Sequence, residues 1–171
     1  MKVLAIVGSA GENSSNEAFL NAIQKEFKDQ FNIRIFNQLR ELPLFRPEDL
    51  KNKIPDTVNH LKESILQSDA IIISTPEYTH NIPAVLKNAL EWCTASGEFY
   101  QKKVLPITLT PHPPRGEYAM ESLLFTLKAL DMDIVTQLPL YKTDMKFDPD
   151  TCILNQETVL LLQEGIQLLR S

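Results

Sequence analysis

Cysteine is nearly absent from this sequence. Cys93 and Cys152 are the two present, and they form no short-spaced cluster with histidine that would hold a metal. A disulfide between them has no compositional support, so reduced thiols in a cytoplasmic protein are expected. Long apolar runs are also missing, and none approaches the length of a membrane span. Residues 3–7 (Val3-Leu4-Ala5-Ile6-Val7) follow one basic residue, Lys2, but they are too few for a signal-peptide core and no small-residue cleavage site follows them. A soluble chain with no membrane partner is the expectation. Basic charge is not in excess: 17 Lys and Arg against 22 Asp and Glu leave a net charge of −5. A nucleic-acid partner is therefore not expected, because phosphate backbones demand a basic face.

What is present suits one domain. The 171 residues are 43% hydrophobic and 23% charged, ordinary values for a globular protein. A chain of this size buries roughly 70% of its unfolded surface and needs no staples. Apolar runs alternate with amphipathic stretches. Strands are expected at residues 3–7, 31–36, 70–74, 104–110 and 134–138. Helices are expected at residues 16–29, 56–68, 82–93, 118–130 and 156–169. Pro83 falls in the first turn of the third helix, where a missing N–H costs nothing. Pro106 removes a ladder donor from the fourth strand, which argues against a regular central strand there. Residues 39–55, with Pro43, Pro47 and Pro55, read as a long surface loop. Strict βα alternation implies α/β architecture, a parallel sheet with helices on both faces. Five strands fit the doubly wound, flavodoxin-like order 2-1-3-4-5 best.

In such a sheet ligands bind outside the carboxyl ends of the strands, where the strand order reverses. The loops after strands 1, 3 and 4 are thus the chemical ones. The first, Gly8-Ser9-Ala10-Gly11-Glu12-Asn13-Ser14-Ser15-Asn16, is rich in hydroxyls and amides and enters a helix. Free N–H groups and a partial positive charge at that helix end suit a phosphate. The loop lacks a Walker lysine and the dinucleotide glycine spacing, so a terminal monophosphate fits better than a magnesium triphosphate. The alternative is a turn whose Ser or Asn merely caps the helix. The second loop, Thr75-Pro76-Glu77-Tyr78-Thr79-His80-Asn81-Ile82-Pro83, is stiffened by proline at both ends. It could present backbone N–H groups to the edge of a flat heterocycle. Glu77 and His80 could instead act as an acid/base pair, although no orienting partner or nucleophile stands elsewhere in the chain.

Two segments carry a resemblance. Gly8-Ser9 followed by Ser14 and Asn16, and Thr75-Pro76-Glu77-Tyr78 continuing through Pro83-Ala84-Val85-Leu86-Lys87-Asn88-Ala89-Leu90-Glu91-Trp92, resemble the NADPH-dependent FMN reductase family. Leu42-Pro43-Leu44-Phe45 and Ser68-Asp69-Ala70 also look familial, and the likeness spans roughly residues 1–137. It implies that Ser9, Ser14, Ser15 and Asn16 hold the phosphate of flavin mononucleotide (FMN). It also implies that Pro76, Glu77, Tyr78 and Thr79 line the ribityl chain and ring edge, largely through backbone groups. From the third loop, Thr110, Arg115 and Gly116 are the candidates.

The chain departs from that family in three places. Thr79 stands where the family commonly has asparagine, and Gly11 where it often has arginine. The usually glycine-rich third loop is Thr110-Pro111-His112-Pro113-Pro114-Arg115-Gly116. Arg115 is the candidate to restore the missing positive charge.

The resemblance implies an enzyme in which NADPH or NADH reduces bound FMN, which then reduces a quinone, azo compound, flavin or metal oxyanion in a ping-pong cycle. No catalytic side chain is then needed. The rival expectation is a flavin-binding module with little turnover. Trp92 and Leu86 read as core or interface residues. The apolar third helix points to a homodimer or homotetramer.

Overall fold

The computed structural model describes residues 1–148 and 151–170. The chain runs β1 (Lys2–Val7), α1 (Ser15–Glu26), β2 (Asn32–Phe36), α2 (Asp56–Leu66), β3 (Ala70–Thr75), α3 (Ala84–Trp92), β4 (Lys103–Thr110), α4 (Glu117–Ala129), β5 (Asp133–Ile134), β6 (Leu138–Tyr141), β7 (Lys146–Asp148), β8 (Thr151–Ile153) and α5 (Gln156–Gln167). The main sheet is parallel in the order β2-β1-β3-β4-β5, with β6 also pairing β4. This is the expected doubly wound, flavodoxin-like α/β arrangement. Helices α1 and α5 pack on one face, and α2, α3 and α4 on the other. Every residue of β3 is buried, which is why it reads as an unbroken apolar run.

The fifth strand is not the single segment expected at residues 134–138. β4 pairs Lys103 and Val104 with Asp133 and Ile134, then Ile107 with Leu138 and onward to Thr110 with Tyr141. Residues 135–137 therefore stand opposite residues 105–106, one residue too many, which is a bulge. Pro106 explains its position. The carbonyl of Val104 accepts the N–H of Val135 at 3.1 Å, so Val104 faces the edge strand, and so does Pro106 two residues on. Pro106 has no N–H to offer there. The pairing of β4 with β3 runs unbroken from Lys103 to Thr108, so the irregularity falls on the edge strand alone.

Three further expectations are corrected. Residues 39–55 are more than a surface loop, because they contain two short 3-10 turns, Leu39–Glu41 and Pro47–Lys51, and bury Leu39 and Leu42. Asn88 and Trp92 of α3 both donate to the carbonyl of Pro43, at 3.0 and 2.8 Å, and the N–H of Phe45 donates to Asn88 Oδ1. Helix α3 begins at Ala84 because Pro83 takes the capping position before it. Its apolar residues Leu86, Ala89, Leu90 and Trp92 are buried within this chain, so they supply no free face for a second subunit. The antiparallel hairpin β7–β8, registered at Phe147 and Cys152, had no sequence signal. Cys93 and Cys152 are both free thiols.

Candidate functional site

The three loops lie at the carboxyl ends of the adjacent strands β1, β3 and β4. Gly8 brings the first against the second. Its N–H donates to the carbonyl of Ser74 at 2.8 Å. A Cβ at Gly8 would lie 2.9 Å from both that oxygen and Thr75 Cβ, so only glycine fits this approach. The next tie is a side-chain pair: Ser74 Oγ donates to Asn16 Oδ1 at 2.7 Å. Asn16 is 4% exposed, and among the described residues its amide nitrogen has no partner. Ser14 is the N-cap of α1 and accepts the N–H of Glu17 at 3.2 Å. Ser9 is buried and accepts the N–H of Gly11 at 3.3 Å. The N–H groups of Ser15 and Asn16, in the first turn of α1, have no partner among the described residues. Capping and anion binding are thus divided between residues: Ser14 caps, while Asn16 and the first-turn amides remain available.

The second loop is a tight reversal. Tyr78 and Asn81 exchange both backbone hydrogen bonds, at 2.9 and 3.0 Å. The two residues between them, Thr79 and His80, have φ of 53° and 56°, the twist of a type I′ turn. Asparagine and glycine are favoured there and a β-branched residue is not. The bridge uses the N–H of Tyr78, so that group is not available to a ligand. Among the described residues the N–H groups of Glu77, Thr79 and His80 have no partner, whereas Pro76 has none to give.

The Glu77 side chain is committed elsewhere. Its Oε2 accepts the N–H of Gly116 and of Ala119, both at 3.1 Å. A buried carboxylate thus caps α4 and neutralises its positive end. His80 Nδ1 lies 3.8 Å from Glu77 Oε1 and its ring packs edge-on against Tyr118 at 4.6 Å. Proton transfer is not the role this arrangement gives Glu77.

The third loop offers few donors. Pro111, Pro113 and Pro114 lack an N–H, and those of Arg115 and Gly116 go to His112 O and Glu77. Thr110 Oγ1 donates to the carbonyl of Arg115 at 2.8 Å. Gly116, at φ +103°, sits 3.0 Å from Thr108 Oγ1 when given a Cβ. The loop is therefore a stiff, largely apolar wall. Arg115 forms no ion pair among the described residues. The cation that reaches the first loop is Arg40, from the 3-10 turn after β2, with Nη1 3.2 Å from Glu12 Oε1. Sequence reasoning missed it because 28 positions separate the pair and no local pattern links them.

Beside these loops lies an open groove of ≈ 890 Å³ between the second loop, the start of α3 and α4. Tyr78, Tyr118 and Phe125 line it and are exposed. Among the described residues no three His, Cys, Asp or Glu side chains gather as a metal would require. No helix among them is long and apolar enough to cross a membrane.

Residues 1–141 match the family described as NADPH-dependent FMN reductase. Over 116 residues the chain is 39% identical to subunit CrdA of the NADH:(hydroxy)cinnamate reductase of Vibrio ruber, covering 68% of this chain and 56% of that one. Over 93 residues it is 40% identical to the NADH-dependent flavin reductase subunit 2 of Lactobacillus johnsonii, covering 54% and 48% respectively. The chain thus spans about half the length of the curated relatives it matches. Among solved structures, FerB, a flavoenzyme NAD(P)H:(acceptor) oxidoreductase from Paracoccus denitrificans, has a TM-score of 0.81 and 21% identity over 99% of this chain and 95% of that one. That likeness is one of fold.

Proposed function

The chain belongs to the NADPH-dependent FMN reductase family, and on that premise we propose that it is an FMN-dependent oxidoreductase. It takes a hydride from NADPH or NADH and delivers reducing equivalents to a quinone, azo compound, flavin or metal oxyanion in a ping-pong cycle. The observation that carries this reading is the set of unclaimed donors at the switch point. These are the Asn16 amide nitrogen and the N–H groups of Ser15 and Asn16 at one end, and those of Glu77, Thr79 and His80 at the other. A phosphate and a heterocycle edge rich in acceptors match that division.

FMN supplies the redox chemistry when bound; the chain binds and orients. Ser9, Ser15 and Asn16 hold the phosphate, and Ser14, whose oxygen caps α1, keeps its hydroxyl proton to give to it. Pro76, Glu77, Tyr78 and Thr79 flank the ribityl chain and ring edge with their backbone. Thr110, Arg115 and Gly116 belong to the wall that limits water on the far side. Glu77 fixes the second loop to α4 and so sets the spacing between the two sides.

The chain acts as one FMN-binding domain, in the cytoplasm, which its two free thiols support. It assembles as a homodimer or homotetramer through the exposed aromatic groove between the second loop, the start of α3 and α4, and not through the buried Leu86, Leu90 and Trp92. Sedimentation that finds only monomer at micromolar concentration rejects that assembly.

The deciding experiment is simple. Purified protein reconstituted with FMN should be yellow and bleach within seconds on adding NADPH or NADH under exclusion of oxygen. A yellow protein that neither nucleotide reduces makes the chain a flavin-binding module instead. A protein that cannot be loaded with FMN sinks both.

A further inference from the structure

The first loop, Gly8 to Asn16, contains no lysine or arginine of its own, and it carries an acid, Glu12. Arg40 reaches this loop from β2's end and pairs with Glu12 at 3.2 Å. The two side chains, with Ser9, Gly11, Asn13 and Asn37, line a cavity of ≈ 200 Å³ that opens beside the loop. Arg40 is 45% exposed and Glu12 82%, and a pair so open to water holds weakly. Nothing else occupies Arg40: no further ion pair or hydrogen bond of its side chain occurs among the described residues. The neighbouring carboxylate Glu17 is already taken, accepting from Asn37 Nδ2 at 2.6 Å.

We propose that Arg40 is the cation of the first loop and that Glu12 holds it in reserve, until a phosphomonoester takes the place of the Glu12 carboxylate. A phosphomonoester carries about −1.5 to −2 charges at neutral pH, more than a carboxylate, and offers oxygens that match the guanidinium fork. A buried neighbour suits the exchange, since Ser9 lines the same cavity. Glu12 makes the site selective, because an uncharged ligand gains too little from Arg40 to displace the carboxylate. The phosphomonoester is either the FMN 5′-phosphate or the 2′-phosphate of NADPH; the first of these rests on the function proposed above.

The test uses the full chain and equilibrium binding, read by flavin fluorescence and by calorimetry. Arg40→Gln, Glu12→Gln and the double variant are titrated with FMN, riboflavin, 2′,5′-ADP and 5′-ADP. The expected result is that Arg40→Gln weakens FMN at least about tenfold, the usual scale for a hydrogen bond to a charged group, with riboflavin unchanged. Glu12→Gln tightens FMN several-fold, and that gain vanishes when Arg40 is also replaced. Arg40→Lys falls between parent and Arg40→Gln. If 2′,5′-ADP shows this pattern over 5′-ADP and FMN does not, the phosphate is the nucleotide's and the exchange still holds. The proposal is overturned if no phosphate ligand responds, if FMN and riboflavin weaken together, or if Glu12→Gln acts equally with and without Arg40. A parent protein that binds neither flavin defeats the proposed function, and the 2′,5′-ADP titration then decides this inference by itself.

Discussion

The hydroxyl of Ser74 donates to Oδ1 of Asn16 over 2.7 Å, joining the end of β3 to the start of α1 across 58 positions of sequence. The amide of Asn16 is thereby oriented, oxygen inward and nitrogen free. Asn16→Asp keeps the acceptor for Ser74 but replaces the free donor with negative charge. FMN affinity should then fall by more than about a hundredfold, since a charge-assisted bond is lost and repulsion added, while riboflavin binds as before. Ser74→Ala should lower stability by about 1–3 kcal/mol by leaving a buried acceptor unpaired, with FMN and riboflavin affected alike. Flavin titration and urea unfolding distinguish the two.

Glu77 is a cap and not a proton carrier. Glu77→Gln should cost about 1–2 kcal/mol of stability in thermal unfolding, because the amide accepts the Gly116 and Ala119 N–H groups without the charge. Hydride transfer followed by stopped flow should stay within about tenfold, against the ~10²–10⁴ typical of general acid–base groups. A thousandfold loss with FMN still bound would make Glu77 catalytic.

Thr79 holds a left-handed conformation that its β-branch resists. Thr79→Asn should stabilise the folded chain by about 0.5–1 kcal/mol, as replacement by a residue suited to a type I′ turn does. The denaturant midpoint should rise with its slope unchanged. A drop in stability would mean that the threonine methyl makes a contact worth more than the strain.

Burial pushes the Cys93 thiol up to about 12, with Glu98 adding to the shift and Lys62 opposing it. It pushes Cys152 up to about 11. Both folded-state values lie above that of an unfolded thiol, about 8.5. The stabilisation is therefore complete below that pH and declines as pH rises toward 11 and 12, where the unfolded chain has released protons that the folded one retains. Unfolding midpoints should fall between pH 9 and 11. The buried Cys93 should not react with iodoacetamide at pH 8 until denaturant is added, and the half-buried Cys152 should react more slowly than a free thiol; rapid labelling of Cys93 in the native protein would contradict this.

Much of the architecture was legible because each buried strand spells itself in consecutive apolar residues. Ile71, Ile72 and Ile73 admit no amphipathic reading, and Ser74 and Thr75 mark where the strand meets the site. The loops were legible by composition, but the use of each group within them was not. That Glu77 caps α4 depends on Gly116, 39 positions away, and that Tyr78's N–H is consumed depends on a turn formed without glycine. Arg115 is the cation that residue type alone offered, and Arg40, which pairs with Glu12, is a second that the 3-10 turn after β2 brings to the first loop. The β7–β8 hairpin escaped notice because its strands are only three residues long and no periodicity develops over such a span.

The bulge opposite Pro106 also bears on how these molecules meet at high concentration. A parallel sheet has two margins, and each exposes a row of unpaired backbone groups on which a stray strand can grow. On the β5/β6 margin that row is interrupted at residues 135–137 and again at Pro139, which has no N–H. An incoming chain finds at most four consecutive residues of regular strand there, Leu138–Tyr141 with Pro139 among them, too short a template for a growing cross-β stack. The same proline that spoils the regularity of the sheet thus blunts one of its two seeding surfaces.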